Sequence, residues 1–157
     1  MTKRWWFPIA AIAVGLFAIN AAARLVIRLG FSEDNDTAAN RATIVMFAVI
    51  GLALAVLTYL RSQQEPPSSW LTTIGFGALG GMLLTVLVGP FITGQSSPFA
   101  GGAGDFFEQI WLYSGLAILG TLLGYWIATA LGRDHRSRSL KAYAELRNAK
   151  PRRVVGR

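Results

Sequence analysis

Four long apolar blocks, at roughly 5–27, 42–60, 70–92 and 110–131, govern what this chain can fold into. Each is close to the ~20 residues with which an α-helix crosses ~30 Å of hydrocarbon. None contains an aspartate or a glutamate. None alternates with the period of two that a lipid-facing strand requires, so the blocks predict helices. Only 15% of the chain is charged, against about 25% in an ordinary soluble domain, and its mean hydropathy is +0.44. Lipid is therefore the expected solvent for most of the surface.

Composition also excludes several chemistries. The chain has no cysteine, which rules out disulfides, thiolate metal sites and cysteine nucleophiles. Its one histidine, His135, lies outside every apolar block, so neither a haem held by paired intramembrane histidines nor a histidine zinc site is expected. No cofactor and no metal are predicted. A proton-coupled carrier normally keeps an acidic side chain inside its spans, and these blocks hold none.

Basic residues orient the spans. Lys3, Arg4, Arg61 and the tail from Arg133 onwards fall on one side, giving twelve cations against Glu65, Asp134 and Glu145. The opposite side holds Arg24, Arg28 and Arg41 against Glu33, Asp34, Asp36, Asp105 and Glu108. Net charges of +9 and −2 make up the +7 of the chain, and the positive-inside rule places both termini in the cytoplasm. Trp5, Trp6, Trp70, Trp111 and Tyr59 stand at block ends, where amphipathic rings favour the headgroup level. A competing reading treats the first block as a signal peptide cut near Ala21–Ala23, which leaves three spans. The length of the apolar run, Trp5, Trp6, Pro8 and Asn20 all argue against it.

The first block leaves the membrane through "NAAARLVIRLG", which sets Asn20, Arg24 and Arg28 at four-residue steps along one helix face. With the helix centred near Leu16, Arg24 lies ~12 Å from the midplane and Arg28 ~18 Å. A guanidinium at the first depth can snorkel, so interfacial anchoring is the plain reading. The alternatives are a salt bridge to Asp105 or Glu108, or to Glu33, Asp34 or Asp36, and a site for an anion or lipid phosphate, whose oxygens two guanidiniums match. Asn20, Arg24, Arg28, Asp105 and Glu108 form the candidate outer polar cluster.

Small residues mark candidate packing faces: Gly77 and Gly81 in the third block, and Gly120, Gly124 and Ala128 in the fourth. Such ridges let helix backbones approach where lipid removes the hydrophobic drive for pairing. The expectation is that the third and fourth spans pack on each other there, with self-association as the alternative. Gly89-Pro90 should fray or kink the third span. Pro66-Pro67 should separate the second from the third, and the segment 93–109 reads as the longest connection.

Gly132 is a natural C-cap, and beyond it runs "RDHRSRSLKAYAELRNAKPRRVVGR". Leu140, Tyr143, Ala144 and Arg147 share a helical face, and Pro151 closes that short helix. Arg133, Arg136, Arg138, Lys141, Arg147, Lys150, Arg152 and Arg153 are the candidate contacts to anionic lipid or to a protein partner. No alternation of arginine with aromatic residues supports nucleic acid.

The resulting expectation is an all-α protein. A four-helix transmembrane domain spans 1–132, and a short amphipathic basic tail spans 133–157. It sits as a multi-pass protein in the plasma membrane of a bacterium, the origin being read from twelve arginines to three lysines. Its function is that of a non-catalytic accessory or assembly subunit of a larger membrane complex, contacting other subunits or itself. The alternative is a small oligomeric channel or carrier for an anion or lipid.

Overall fold

The structure, a computed structural model, describes residues 5–30, 36–92, 94–99 and 101–148. Every regular element among them is helical: α1 (Trp6–Gly30), α2 (Asp36–Ser62), α3 (Pro67–Leu87), α4 (Gly89–Ile92), α5 (Gly102–Ala130) and α6 (His135–Asn148). Four stretches, in α1, α2, α3 and α5, are long and apolar enough to cross a membrane.

The boundaries follow local chemistry. Pro66 is extended (ψ 154°) and Pro67 opens α3, where a missing N–H costs nothing. α3 stops at Val88 because Pro90 has no N–H to continue the ladder, and one further turn, α4, follows. At the far end of α5, Gly132 takes φ +61°. Its N–H bonds Thr129 O at 2.9 Å, and that of Arg133 bonds Ala128 O at 2.9 Å, the two bonds of a Schellman cap. Asp134 then caps α6, accepting the Ser137 N–H at 3.3 Å. Two expected boundaries move. α2 begins at Asp36, and α5 begins at Gly102, so half of the presumed long connection is helix. Asp105 in the first turn of α5 suits the positive end of its dipole, and Phe99 stacks on Phe106 at 4.6 Å.

Contacts define two parallel pairs, α1 with α3 and α2 with α5, with α1 and α2 joining them. This differs from the expected pairing of the third and fourth spans through their glycines. A Cβ on Gly77 would stand 2.6 Å from Ile12 Cγ2, and one on Gly81 would stand 3.1 Å from Leu16 Cβ, so both glycines face α1. Gly120 and Gly124 face α2, where an added Cβ would run into the backbone carbonyls of Gly51 and Ala55. Each small-residue ridge thus pairs with a sequence-distant helix running the same way, and α3 and α5 touch each other less closely. All of Gly77, Gly81, Gly120, Gly124 and Ala128 are buried inside the chain.

The core lies where the pairs meet. Leu16, Met46, Phe47, Ile50, Leu54, Ile74 and Tyr113 pack there, with Phe47 and Tyr113 edge to face at 6.2 Å. Trp70 belongs to this core and not to an interfacial belt: it is 4% exposed and lies against Tyr125 at 5.4 Å. Trp5, Trp6 and Trp111 are exposed, as a headgroup position requires. α6 leaves the bundle, tied back by Arg138 donating to Gln63 at 3.1 Å and by Lys141 reaching the Gly132 carbonyl at 3.5 Å.

The close pair α2–α5 makes a minimal test possible. Gly120→Ala should lower the stability of the purified protein to thermal or denaturant unfolding by about 1–3 kcal/mol, the usual cost of overpacking. Gly115→Ala, whose new Cβ meets nothing within 4 Å, should leave it unchanged or slightly raised.

Candidate functional site

The arginine-bearing face of α1 is the face that packs on α3. Ile12 opposes Gly77, Leu16 opposes Gly81 and, two turns further along both segments, Arg24 opposes Gly89 at the start of α4. Asn20 therefore comes level with Thr85. The stripe Asn20–Arg24–Arg28 is the polar continuation of an apolar packing seam, and small residues run along the α3 side of it.

At the bundle end that carries the α1–α2 and α3–α5 connections, that seam becomes a polar node. Asn20 is fully buried. Its Nδ2 donates to Met46 Sδ at 3.0 Å, and its Oδ1 accepts Arg24 Nε at 2.9 Å. Arg24 then reaches over the start of α4, lying so close to Gly89 that a Cβ there would stand 2.9 Å from Nε. Its Nη2 ends on α5, donating to Gln109 Oε1 at 2.8 Å. One half-buried side chain thereby ties α1, α4 and α5, while Asn20 adds α2 through Met46. One turn on, Arg28 Nη1 donates to the Ile92 carbonyl at 2.9 Å. This satisfies a carbonyl at the end of α4, as a cation at a helix C-terminus does.

The alternative of a salt bridge from Arg24 to Asp105 or Glu108 is corrected. Asp105 and Glu108 are exposed, and neither bonds Arg24; its partners are the neutral amides of Asn20 and Gln109. The register explains this, because Gln109 and Tyr113 stand on the face of α5 that turns inward, and Asp105 and Glu108 do not. Glu33 and Asp34, and the side chain of Asp36, lie outside what the structure describes. Arg61–Glu65, at the opposite end, is the one ion pair among the described residues.

Gln109, Met46, Gly89 and Tyr113 were not singled out in the sequence as parts of this node. A signal was present for Gly89, since small residues recur at 77, 81, 85 and 89 in step with 12, 16, 20 and 24. Tyr113, one turn along α5 from Gln109, is 1% exposed, and its hydroxyl rests against Gly81 without a hydrogen-bond partner. The Thr85 hydroxyl is also buried and unpartnered. From Tyr113 towards the end of the bundle opposite this node, α3 and α5 part to leave an open apolar groove of about 350 Å³ between Leu71, Ala78, Met82, Ser114, Ala117 and Thr121.

At the other end, Arg133 donates to the Tyr59 hydroxyl at 3.0 Å. Arg136 and Arg147 are exposed on α6. Lys150, Arg152 and Arg153 lie outside the described residues. No three of the described His, Asp and Glu residues come together as a metal set. The chain matches no family model, no curated protein and no solved structure.

A double-mutant cycle checks the node. Arg24→Ala with Gln109→Ala should show a coupling of about 1–2 kcal/mol, the scale of a hydrogen bond to a charged group. Arg24→Ala with Glu108→Ala should be additive within about 0.5 kcal/mol. Glu108→Arg should not rescue a charge-reversed Arg24.

Proposed function

We propose that this chain is a non-catalytic, multi-pass protein of the cytoplasmic membrane, with both termini inside, that serves as an accessory or assembly subunit of a larger membrane complex. The observation that carries this reading is α6. It stands off the bundle and exposes Leu140, Tyr143 and Leu146 beside Arg136, Arg138, Lys141 and Arg147. Apolar side chains at 60–76% exposure on a solvated helix call for a surface to lie on. The adjacent cations suit anionic lipid or an acidic partner, each adding ~1 kcal/mol near a charged membrane. Burial of the glycine ridges within the chain favours the tail over the spans as the docking element.

One observation favours the second reading, a carrier or channel for an anion or lipid. Arg24 is half-buried among neutral partners, and a guanidinium so placed attracts an anion.

Truncation after Arg138 should leave an inserted, folded bundle that no longer co-purifies with its cytoplasmic partner, as read by affinity isolation in mild detergent. High salt should mimic the loss, because ~0.15 M salt already screens exposed charges beyond ~8 Å. A partner retained through both treatments removes the tail from the mechanism. Cysteine labelling at Ser68 and Arg157 should report cytoplasm, and labelling at Gly102 the opposite side. The reverse pattern would sink the proposed orientation.

A further inference from the structure

We infer, resting on the reading of α6 as the docking element, that α6 seats Leu140, Tyr143 and Leu146 in an apolar groove rimmed with carboxylates on a second, different protein, and not in the bilayer.

The direction of the apolar face decides between the two surfaces. At ~100° per residue, Leu140, Tyr143 and Leu146 cover about a third of the circumference of α6, with Tyr143 at the centre. The side tied to the bundle is the opposite one. Arg138 Nη2 donates to Gln63 Oε1, in the α2–α3 connection, and Lys141 Nζ to the Gly132 carbonyl. The midpoint of those two positions lies ~170° round the helix from Tyr143. Ser137, on their side, is half-buried, while the other described side chains of α6 are exposed. Just upstream, Arg133 holds the Tyr59 hydroxyl and Asp134 is buried, so the start of α6 is fixed against the end of the bundle. A helix held to the end of a membrane bundle by one side turns its opposite side away from the bilayer. Leu140, Tyr143 and Leu146 therefore face solvent and whatever protein occupies it.

Apolar anchors at three-residue steps along an amphipathic helix fit a protein groove. Tyrosine and arginine are among the residue types that carry most of the binding energy in such contacts. Arg136 and Arg147 fall within ~40° of Tyr143 on the helix, so the groove must set carboxylates beside its apolar floor. A second copy of this chain does not supply them. Its segments at this end hold twelve cations against Glu65, Asp134 and Glu145. Glu65 is paired with Arg61 at 2.8 Å, Asp134 caps α6, and Glu145 lies on the side of α6 away from Tyr143. Two copies meeting here would repel, and the acid comes from a different protein.

The chain has no cysteine, so one introduced at Tyr143 reports on this face alone. In the full chain reconstituted into phosphatidylglycerol vesicles, a fluorophore on Tyr143→Cys should keep the emission and iodide quenching that it shows in phosphatidylcholine vesicles. In native membranes, a benzophenone on Tyr143→Cys should join this chain to one different protein, at a segment where Asp or Glu flanks apolar residues. The same group on Glu145→Cys should not. Arg147→Glu should cut the Tyr143 adduct about tenfold, and Lys141→Glu, the same change of charge on the other side, by less than about twofold. Both variants should keep the wild-type melting temperature, since both residues are exposed. Blue-shifted, iodide-protected emission in phosphatidylglycerol alone would overturn the inference in favour of the membrane surface. An adduct with a second copy, an adduct at a segment without acids, or no adduct would also overturn it, as would equal losses from Arg147→Glu and Lys141→Glu. If truncation after Arg138 still released the partner in those cases, the tail would remain the docking element through another face. A partner kept after truncation would remove both.

Discussion

Backbone-to-backbone contact between parallel helices is the constraint on which this structure depends. In a bilayer, lipid tails are as apolar as leucine, so helices gain nothing from merely hiding hydrophobic surface. Stability must come from dense packing and from hydrogen bonds, and both require close approach. α2 and α5 meet where Gly120 and Gly124 leave no room for even a Cβ against Gly51 and Ala55. α1 meets α3 along Gly77 and Gly81, and α4 at Gly89. Once those two seams are in register, the core aromatics and the polar node have little freedom left.

The α1–α3 seam also accounts for an otherwise costly feature. A charge drawn into the hydrocarbon edge of a helix carries a penalty of a few kcal/mol unless it snorkels or finds partners. Arg24 finds partners, its hydrogen bonds going to Asn20 and Gln109. Its seat is the missing side chain at Gly89, one turn before the carbonyl that Arg28 satisfies. Because Pro90 breaks α3 at this level, the arginines stabilise a helix end whose own ladder has been interrupted.

The two ends of the bundle divide the work. The distal end is tied by hydrogen bonds from α1 across to α2, α4 and α5. The other end closes with a proline-started α3, the Arg61–Glu65 pair and a Schellman turn that releases α6 from the bundle. An exposed, basic α6 attached through such a turn is free of the core that the four long helices build.

Much of this was legible in the residues themselves. Block length and the absence of internal acids determined four helices of membrane-spanning size, because hydrocarbon thickness sets the length of a helix and the cost of its charges. Gly132 as a cap, Pro66-Pro67 as a separator and Gly89-Pro90 as a break were equally local, since each follows from the backbone of one or two residues. Which ridge meets which helix was not local. The glycine pairs of the third and fourth spans looked alike and suggested each other, yet α1 covers one and α2 the other. Small-residue spacing makes a helix face approachable without specifying its partner. In the same way Asp105 and Glu108 had the right charge for Arg24, and Gln109 had the right face. Charge is written in the sequence, but the face that turns inward depends on how α5 rotates against α2, and that is decided only when the helices pack.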